Sequence, residues 1–166
     1  LSSLWSKIKM KKDFFDIMLR VMEDERLYLL FVGLGYPRYD EFKKKFGKRA
    51  INTEASEQTA LDIAVGLAYS GKLPIIYTIT PFLLRGFETI RTYINHEKLH
   101  VILVGAGRDD DYSKTDGYSH DAKDIRKILN TQENIVQIYP DDREELLQAI
   151  NHGIKFPNPT FLSLRR

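Results

Sequence analysis

Glu57 is the residue whose placement most invites chemistry. The helix predicted to follow it carries Ala60, Leu61, Ala64, Leu67 and Ala68 on one face, and every member of that stripe but Glu57 is apolar. A carboxylate at the head of a buried stripe is desolvated and suited to share a proton with a ligand. The alternative is a first-turn acid that only complements the helix dipole. A second group lies in GAGRDDDYSKTDGYSH, residues 105–120, a long polar segment carrying Arg108, Asp116 and His120. Loops of this length tend to be functional, although Asp116-Gly117 can equally be a tight turn and His120-Asp121 the start of the next helix. A third group is Phe82, Leu83, Leu84 and Phe87, with Arg85 among them. Aromatics at helical spacing are more often core than ligand platform. Arg85 is harder to dismiss, because a guanidinium can stack as well as pair.

Other chemistries find less support. There is no cysteine, which removes disulfides, thiolate catalysis and zinc–thiolate sites. Gly33-Leu34-Gly35 and Gly105-Ala106-Gly107 lack the third glycine of a dinucleotide fingerprint, and Asp109, Asp110 and Asp111 after the second would repel a pyrophosphate. His96 and His100 straddle a predicted helix end and strand start, a poor arrangement for a metal. A net charge of +2 gives no argument for nucleic acid, and Lys7, Lys9, Lys11 and Lys12 read as a solvated face. No apolar run reaches the ~20 residues that span a bilayer, so no membrane role is expected and a cytoplasmic location is the default. The first residue is Leu1 rather than methionine, so the chain is expected to be trimmed, or to have its natural start at Met10 with a leader before it.

The elements that must position these residues alternate along the chain. Helices are predicted over residues 5–24 (Ile8, Phe15, Met18, Leu19 and Met22 at helical spacing), 39–46, 56–70, 82–96, 121–129 and 141–152. Strands are predicted over 27–34, 74–80, 100–105, 135–139 and 160–164, with a brief one at Ala50-Ile51. Gly71 caps the helix at 56–70 and Pro74 stops any continuation. Strand–helix alternation within 166 residues predicts one α/β domain: a largely parallel sheet with helices on both faces. Ligands of such sheets bind beyond the carboxyl ends of the strands. All three groups of candidate residues fall there.

In order and spacing, these segments resemble the middle domain of transketolases and deoxyxylulose-phosphate synthases, from about residue 12 to 166. INTEASEQTALDIAVGLAYSG resembles the signature around that family's catalytic glutamate and puts Glu57 in its position. PIIYTITPFLLRGFETIR resembles the next, with Phe82 and Arg85 where the synthase branch keeps a phenylalanine and an arginine against the cofactor's pyrimidine. TDGYSHDAKDIRKI is similar to the family's Asp-Gly-x-Thr-His segment, which gives Asp116 and His120 substrate-facing roles, and His120 a catalytic one as well. ENIVQIYPDDREEL resembles a strand, Pro-x-Asp and helix of the family.

The resemblance implies a pyrimidine-binding fold for thiamine diphosphate. Glu57 would hydrogen-bond a ring nitrogen of the pyrimidine and so activate the cofactor, and Phe82 would offer it a flat face. Arg108 and Arg166 fall close to basic positions that contact a substrate phosphate in the family. Departures are visible too. Gly33 stands where an acidic residue often follows the first strand, Glu54 where glycine is usual, and the 105–115 loop is longer and more acidic than in some members. Neither the diphosphate-binding domain, with its Gly-Asp-Gly and downstream asparagine for magnesium, nor the family's C-terminal domain has a counterpart here. The resemblance therefore implies a natural subunit, or an excised domain, of a split enzyme of carbohydrate metabolism. A partner subunit would hold the diphosphate and magnesium, this domain would pair with itself inside a heterotetramer, and a ketol or acyl unit would move from a sugar, a sugar phosphate or a 2-oxo acid. The alternatives are a β-type subunit of a 2-oxo-acid dehydrogenase, against which the Asp116–His120 spacing argues, and a non-catalytic scaffold or regulatory relative.

Overall fold

The computed structural model describes residues 2–166, with side chains from Met10 onward; those of Lys7, Ile8 and Lys9 lie outside the described residues. Helix α1 (Ser2–Val21) turns Phe14, Phe15, Ile17 and Met18 inward. It leads to β1 (Leu27–Phe31), α2 (Tyr36–Phe46), β2 (Ala50–Asn52), α3 (Glu57–Tyr69) and β3 (Leu73–Ile79). An irregular helical stretch containing α4 (Phe87–Thr89) precedes β4 (Ile102–Ala106), which is followed by α5 (Ser113–Asp116) and α6 (Ile125–Leu129). The chain ends in β5 (Val136–Ile138), α7 (Arg143–Lys155) and β6 (Thr160–Leu164). The strands form one sheet in the order β2-β1-β3-β4-β6-β5, and every neighbouring pair is parallel.

The central strands are buried on both faces, which is why they read as continuous apolar runs. Leu29, Phe31, Ile75, Tyr77, Val104 and Leu162 point into a core shared with α1, α2 and α7. Their neighbours Leu30, Val32, Ile76, Leu103 and Phe161 point into a second core under α3 and the helical stretch after β3. The α/β class and the helices on both faces are as the sequence predicts. Among the described residues no helix is long and apolar enough to cross a membrane.

Element ends differ from expectation where glycine and proline act. β1 stops at Phe31 because Gly33 (φ 69°) and Gly35 (φ 84°) take left-handed conformations that turn the chain. α2 starts at Tyr36, earlier than predicted, with Pro37 in its first turn, where a missing N–H costs nothing. Residues 82–96 are not one regular helix: a 3₁₀ stretch (Thr80–Gly86) passes through the single turn of α4 into a π-helix (Ile90–His96). Pro81 opens the 3₁₀ stretch, and at Gly86 a Cβ would stand 2.3 Å from Leu61 Cδ1, so this stretch lies tight against α3. After the short α5 comes a 3₁₀ turn (Tyr118–His120). An isolated bridge between Asp109 and Ala122 keeps the chain extended there, so α6 begins later than predicted.

Candidate active site

Glu57 opens α3 and is only 4% exposed, above the buried Ala60, Leu61 and Ala64 of its own stripe. Its carboxylate is not alone. Arg85 Nη1 donates to Glu57 Oε1 at 2.8 Å, and the same guanidinium lies 3.8 Å from the centroid of the Phe82 ring. Arg85 is half-exposed and comes from the 3₁₀ stretch after β3. Just beyond it, α4 is tied to α3 by Gln58 Nε2, which donates to Thr89 Oγ1 (2.8 Å), and by Thr89 Oγ1, which donates to Asp62 Oδ1 (2.9 Å). A buried carboxylate thus meets a cation and an aromatic face at the carboxyl ends of β2 and β3.

From Phe82 the site continues as a row of rings. His120 packs against Phe82 edge-on with centroids 4.9 Å apart, and its other neighbour is Tyr112 at 6.2 Å. Ser119 Oγ lies 3.0 Å from His120 Nδ1. Tyr112 is buried and pins the whole loop: a Cβ on Gly107 would sit 2.2 Å from its ring, Lys11 of α1 donates to its hydroxyl, and the Arg166 guanidinium lies 4.7 Å from its ring centroid. Its carbonyl accepts from Asp116 N (2.9 Å) and Thr115 N (3.0 Å), which starts the turn that presents Asp116 and His120. Lys11 is therefore no solvated charge. Burial pulls it below the ordinary lysine value, with Arg166 adding to the effect and Asp111 and Asp116 opposing it.

Burial also pushes the Tyr112 hydroxyl up to about 12, with Arg166 opposing. In the unfolded chain the hydroxyl ionises near the ordinary 10.0. As pH rises through this window the unfolded state sheds the proton first, so native stability falls. Tyr112→Phe removes that loss. In urea titrations across the window, the wild type is expected to lose stability more steeply than the variant, by about 1 kcal/mol per pH unit.

The remaining predicted residues divide. Asp116 is exposed and accepts from Thr115 Oγ1 at 2.6 Å. Arg166 is half-buried; its Nη1 donates to Thr115 Oγ1 at 2.8 Å and lies 3.9 Å from Asp116 Oδ2, so both edge the same loop. Arg108 does not join them. It is 5% exposed, and its guanidinium donates to Asp141 Oδ1 (2.7 Å), Pro140 O (2.7 Å) and Ser163 O (2.6 Å) behind the loop.

Comparison with known proteins gives this geometry its family. The family model of the transketolase pyrimidine-binding domain matches residues 8–166. The chain belongs to the transketolase pyrimidine-binding domain family. It is 27% identical over 124 residues to one subunit of the apulose-4-phosphate transketolase of Actinobacillus succinogenes, covering 74% of this chain and 40% of that protein. It is 30% identical over 129 residues to the 1-deoxy-D-xylulose-5-phosphate synthase of Dictyoglomus turgidum, covering 76% of this chain and 19% of the synthase. A solved structure described as a split gene transketolase, an inactive beta4 tetramer, shares the fold with a TM-score of 0.80 at 22% identity, over 93% of this chain and 50% of the other. The chain thus spans less than half the length of these curated relatives.

Within this transketolase-type domain, a groove of about 520 Å³ is lined by Pro81, Leu84, Tyr118, Ser119, Asp121, Lys123 and Asp124, which include the chain neighbours of Phe82 and His120. The buried carboxylate and the aromatic face fit one half of thiamine diphosphate, its flat aminopyrimidine. Among the described residues no three His, Asp or Glu side chains converge as a metal site would need. Glu54, where the family usually has glycine, holds a left-handed φ of 53° and accepts from Tyr36 Oη and Asn52 Nδ2, both at 2.9 Å. Sequence reasoning misses Tyr112 and Lys11. An aromatic inside an otherwise polar loop is a usable signal for the first, and nothing local marks the second.

Proposed function

We propose that this chain supplies the pyrimidine-binding half of a split, thiamine-diphosphate-dependent transferase that moves a ketol or acyl unit from a sugar phosphate, sugar or 2-oxo acid. The observation that carries the reading is the buried Glu57 carboxylate, linked through the Arg85 guanidinium to the Phe82 ring beyond the carboxyl ends of β2 and β3. Glu57 would hold a proton at a pyrimidine ring nitrogen, a task suited to a carboxyl on an apolar stripe. Phe82 would pack on the ring. Thiamine diphosphate, when bound, supplies an electron sink for the carbanion left by cleavage beside a carbonyl. His120 would exchange a proton with a substrate hydroxyl or carbonyl oxygen, Asp116 would orient that substrate, and Arg166 would face its anionic end. Arg108 would act as a strut behind this loop.

The diphosphate and magnesium fall to a partner subunit, whose domain would meet this one across the groove. Pairing of this domain with itself, inside a heterotetramer, accords with the apulose-4-phosphate transketolase relative, which is itself one subunit of an enzyme, and with the tetramer in the neighbour's description. The test is reconstitution. The chain is mixed with a diphosphate-binding partner, thiamine diphosphate and magnesium, and ketol transfer is followed from a ketose phosphate, with pyruvate as a second donor. Turnover that requires both chains and the cofactor supports a split enzyme; a stable complex with no turnover on either donor points to a scaffold.

A further inference from the structure

Arg85 poses a question that the reading of Glu57 and Phe82 as pyrimidine contacts, on which this inference rests, leaves open. Its guanidinium already occupies both of them. One Glu57 oxygen accepts its N–H at 2.8 Å, and one face of Phe82 lies 3.8 Å beneath it. A ring stacked on that face and bonded to that oxygen needs the same volume. The two guests are also chemically alike: a protonated aminopyrimidine, like a guanidinium, is a flat, delocalised N–C–N cation with N–H donors in its plane.

We propose that Arg85 is a stand-in for the cofactor's aminopyrimidine, holding Glu57 and covering Phe82 until the ring displaces it. Glu57 is 4% exposed, and a buried carboxylate without a partner is costly, so the empty site needs a cation. Arg85 itself is 50% exposed, so water can take over its N–H groups when it leaves. Its backbone lies in a 3₁₀ stretch that Leu83 and Gly86 anchor by burial, so the exchange needs only side-chain rotation. Arg85 is thus a positioning residue that competes with the cofactor, and its removal should strengthen pyrimidine binding.

The sign of that effect is the test. The full chain, without partner, is titrated with thiamine while the NMR signals of the Glu57 and Phe82 amides are followed. Arg85→Ala is expected to bind thiamine about two- to fivefold more tightly than wild type, as loss of an exposed competing pair allows. Arg85→Lys, which keeps the charge but not the flat shape, should fall between. Equal or weaker binding by Arg85→Ala overturns the stand-in and makes Arg85 a bystander or an ordinary ligand. Glu57→Gln, in both backgrounds, separates this failure from that of the underlying reading: binding unchanged by the Gln removes Glu57 as the pyrimidine's partner whatever Arg85 does. Absence of saturable binding in every form overturns both.

Discussion

Glu57→Gln should lower turnover of the reconstituted enzyme by about a hundredfold or more, with the thermal midpoint of the chain moving by less than about 4 °C. Glutamine is nearly isosteric, so the packing above Ala60, Leu61 and Ala64 survives. Its carbonyl oxygen can still accept from Arg85, and the lost ion pair matters little because Arg85 is half in water. What disappears, on the proposed role, is the carboxylate charge that would hold a proton at a ring nitrogen. The opposite result is equally informative. If Glu57 were only a first-turn acid opposite the helix dipole, the variant would lose about 0.3–1 kcal/mol of stability and no turnover. Kinetics of the two-chain enzyme and calorimetry of the single chain, run on one preparation, tell these apart.

The sheet is legible in the sequence because its central strands are buried on both faces and leave short apolar runs such as LYLLF and TFLSL, which helices of this length would not. The stretch from 80 to 96 is not. Its composition favours a helix, whereas Pro81 opens a 3₁₀ stretch and Gly86 lies against Leu61, a contact across elements that propensity cannot see.

The site divides along the same line. Glu57 is readable from its own helix, since the stripe lies within one element. Its pairing with Arg85 joins residues 28 positions apart, and the hold of Lys11 on Tyr112 spans 101. Lys11 reads as a solvated charge for that reason: a lysine run on a helix looks the same whether its far side meets water or a folded loop. The loop after β4 stands out in the sequence as long and polar, but its order comes from one buried ring wedged onto Gly107, which only the assembled chain reveals.

Arg108 carries the last and largest structural prediction. Arg108→Met, which keeps the aliphatic stem, should cost about 2–4 kcal/mol of stability, read as a shift of the urea midpoint at constant slope. Three hydrogen bonds from one guanidinium, 2.6–2.7 Å long, tie the end of β4 to Ser163 of β6 and to the Pro140-Asp141 corner before α7. The Asp141 carboxylate is 69% exposed and can return to water, so the ion pair itself contributes little. The carbonyls of Pro140 and Ser163 are different: their bonds to Arg108 are buried, and losing a charge-assisted donor there leaves them unsatisfied. Burial already pulls the guanidinium below its ordinary value, with Arg165 adding and Asp141 opposing, so those bonds must offset a real desolvation cost. A strut and a phosphate ligand then predict opposite patterns. If Arg108 is a strut, the midpoint falls, and both KM and turnover change in step with the loss of the ordered loop, for phosphorylated and unphosphorylated donors alike. If Arg108 gripped a substrate phosphate directly, KM for the phosphorylated donor alone would rise while the midpoint stayed put. The short bonds to backbone carbonyls favour the first pattern, because a guanidinium held by two buried carbonyls at one end of the sheet has little freedom left to meet a substrate.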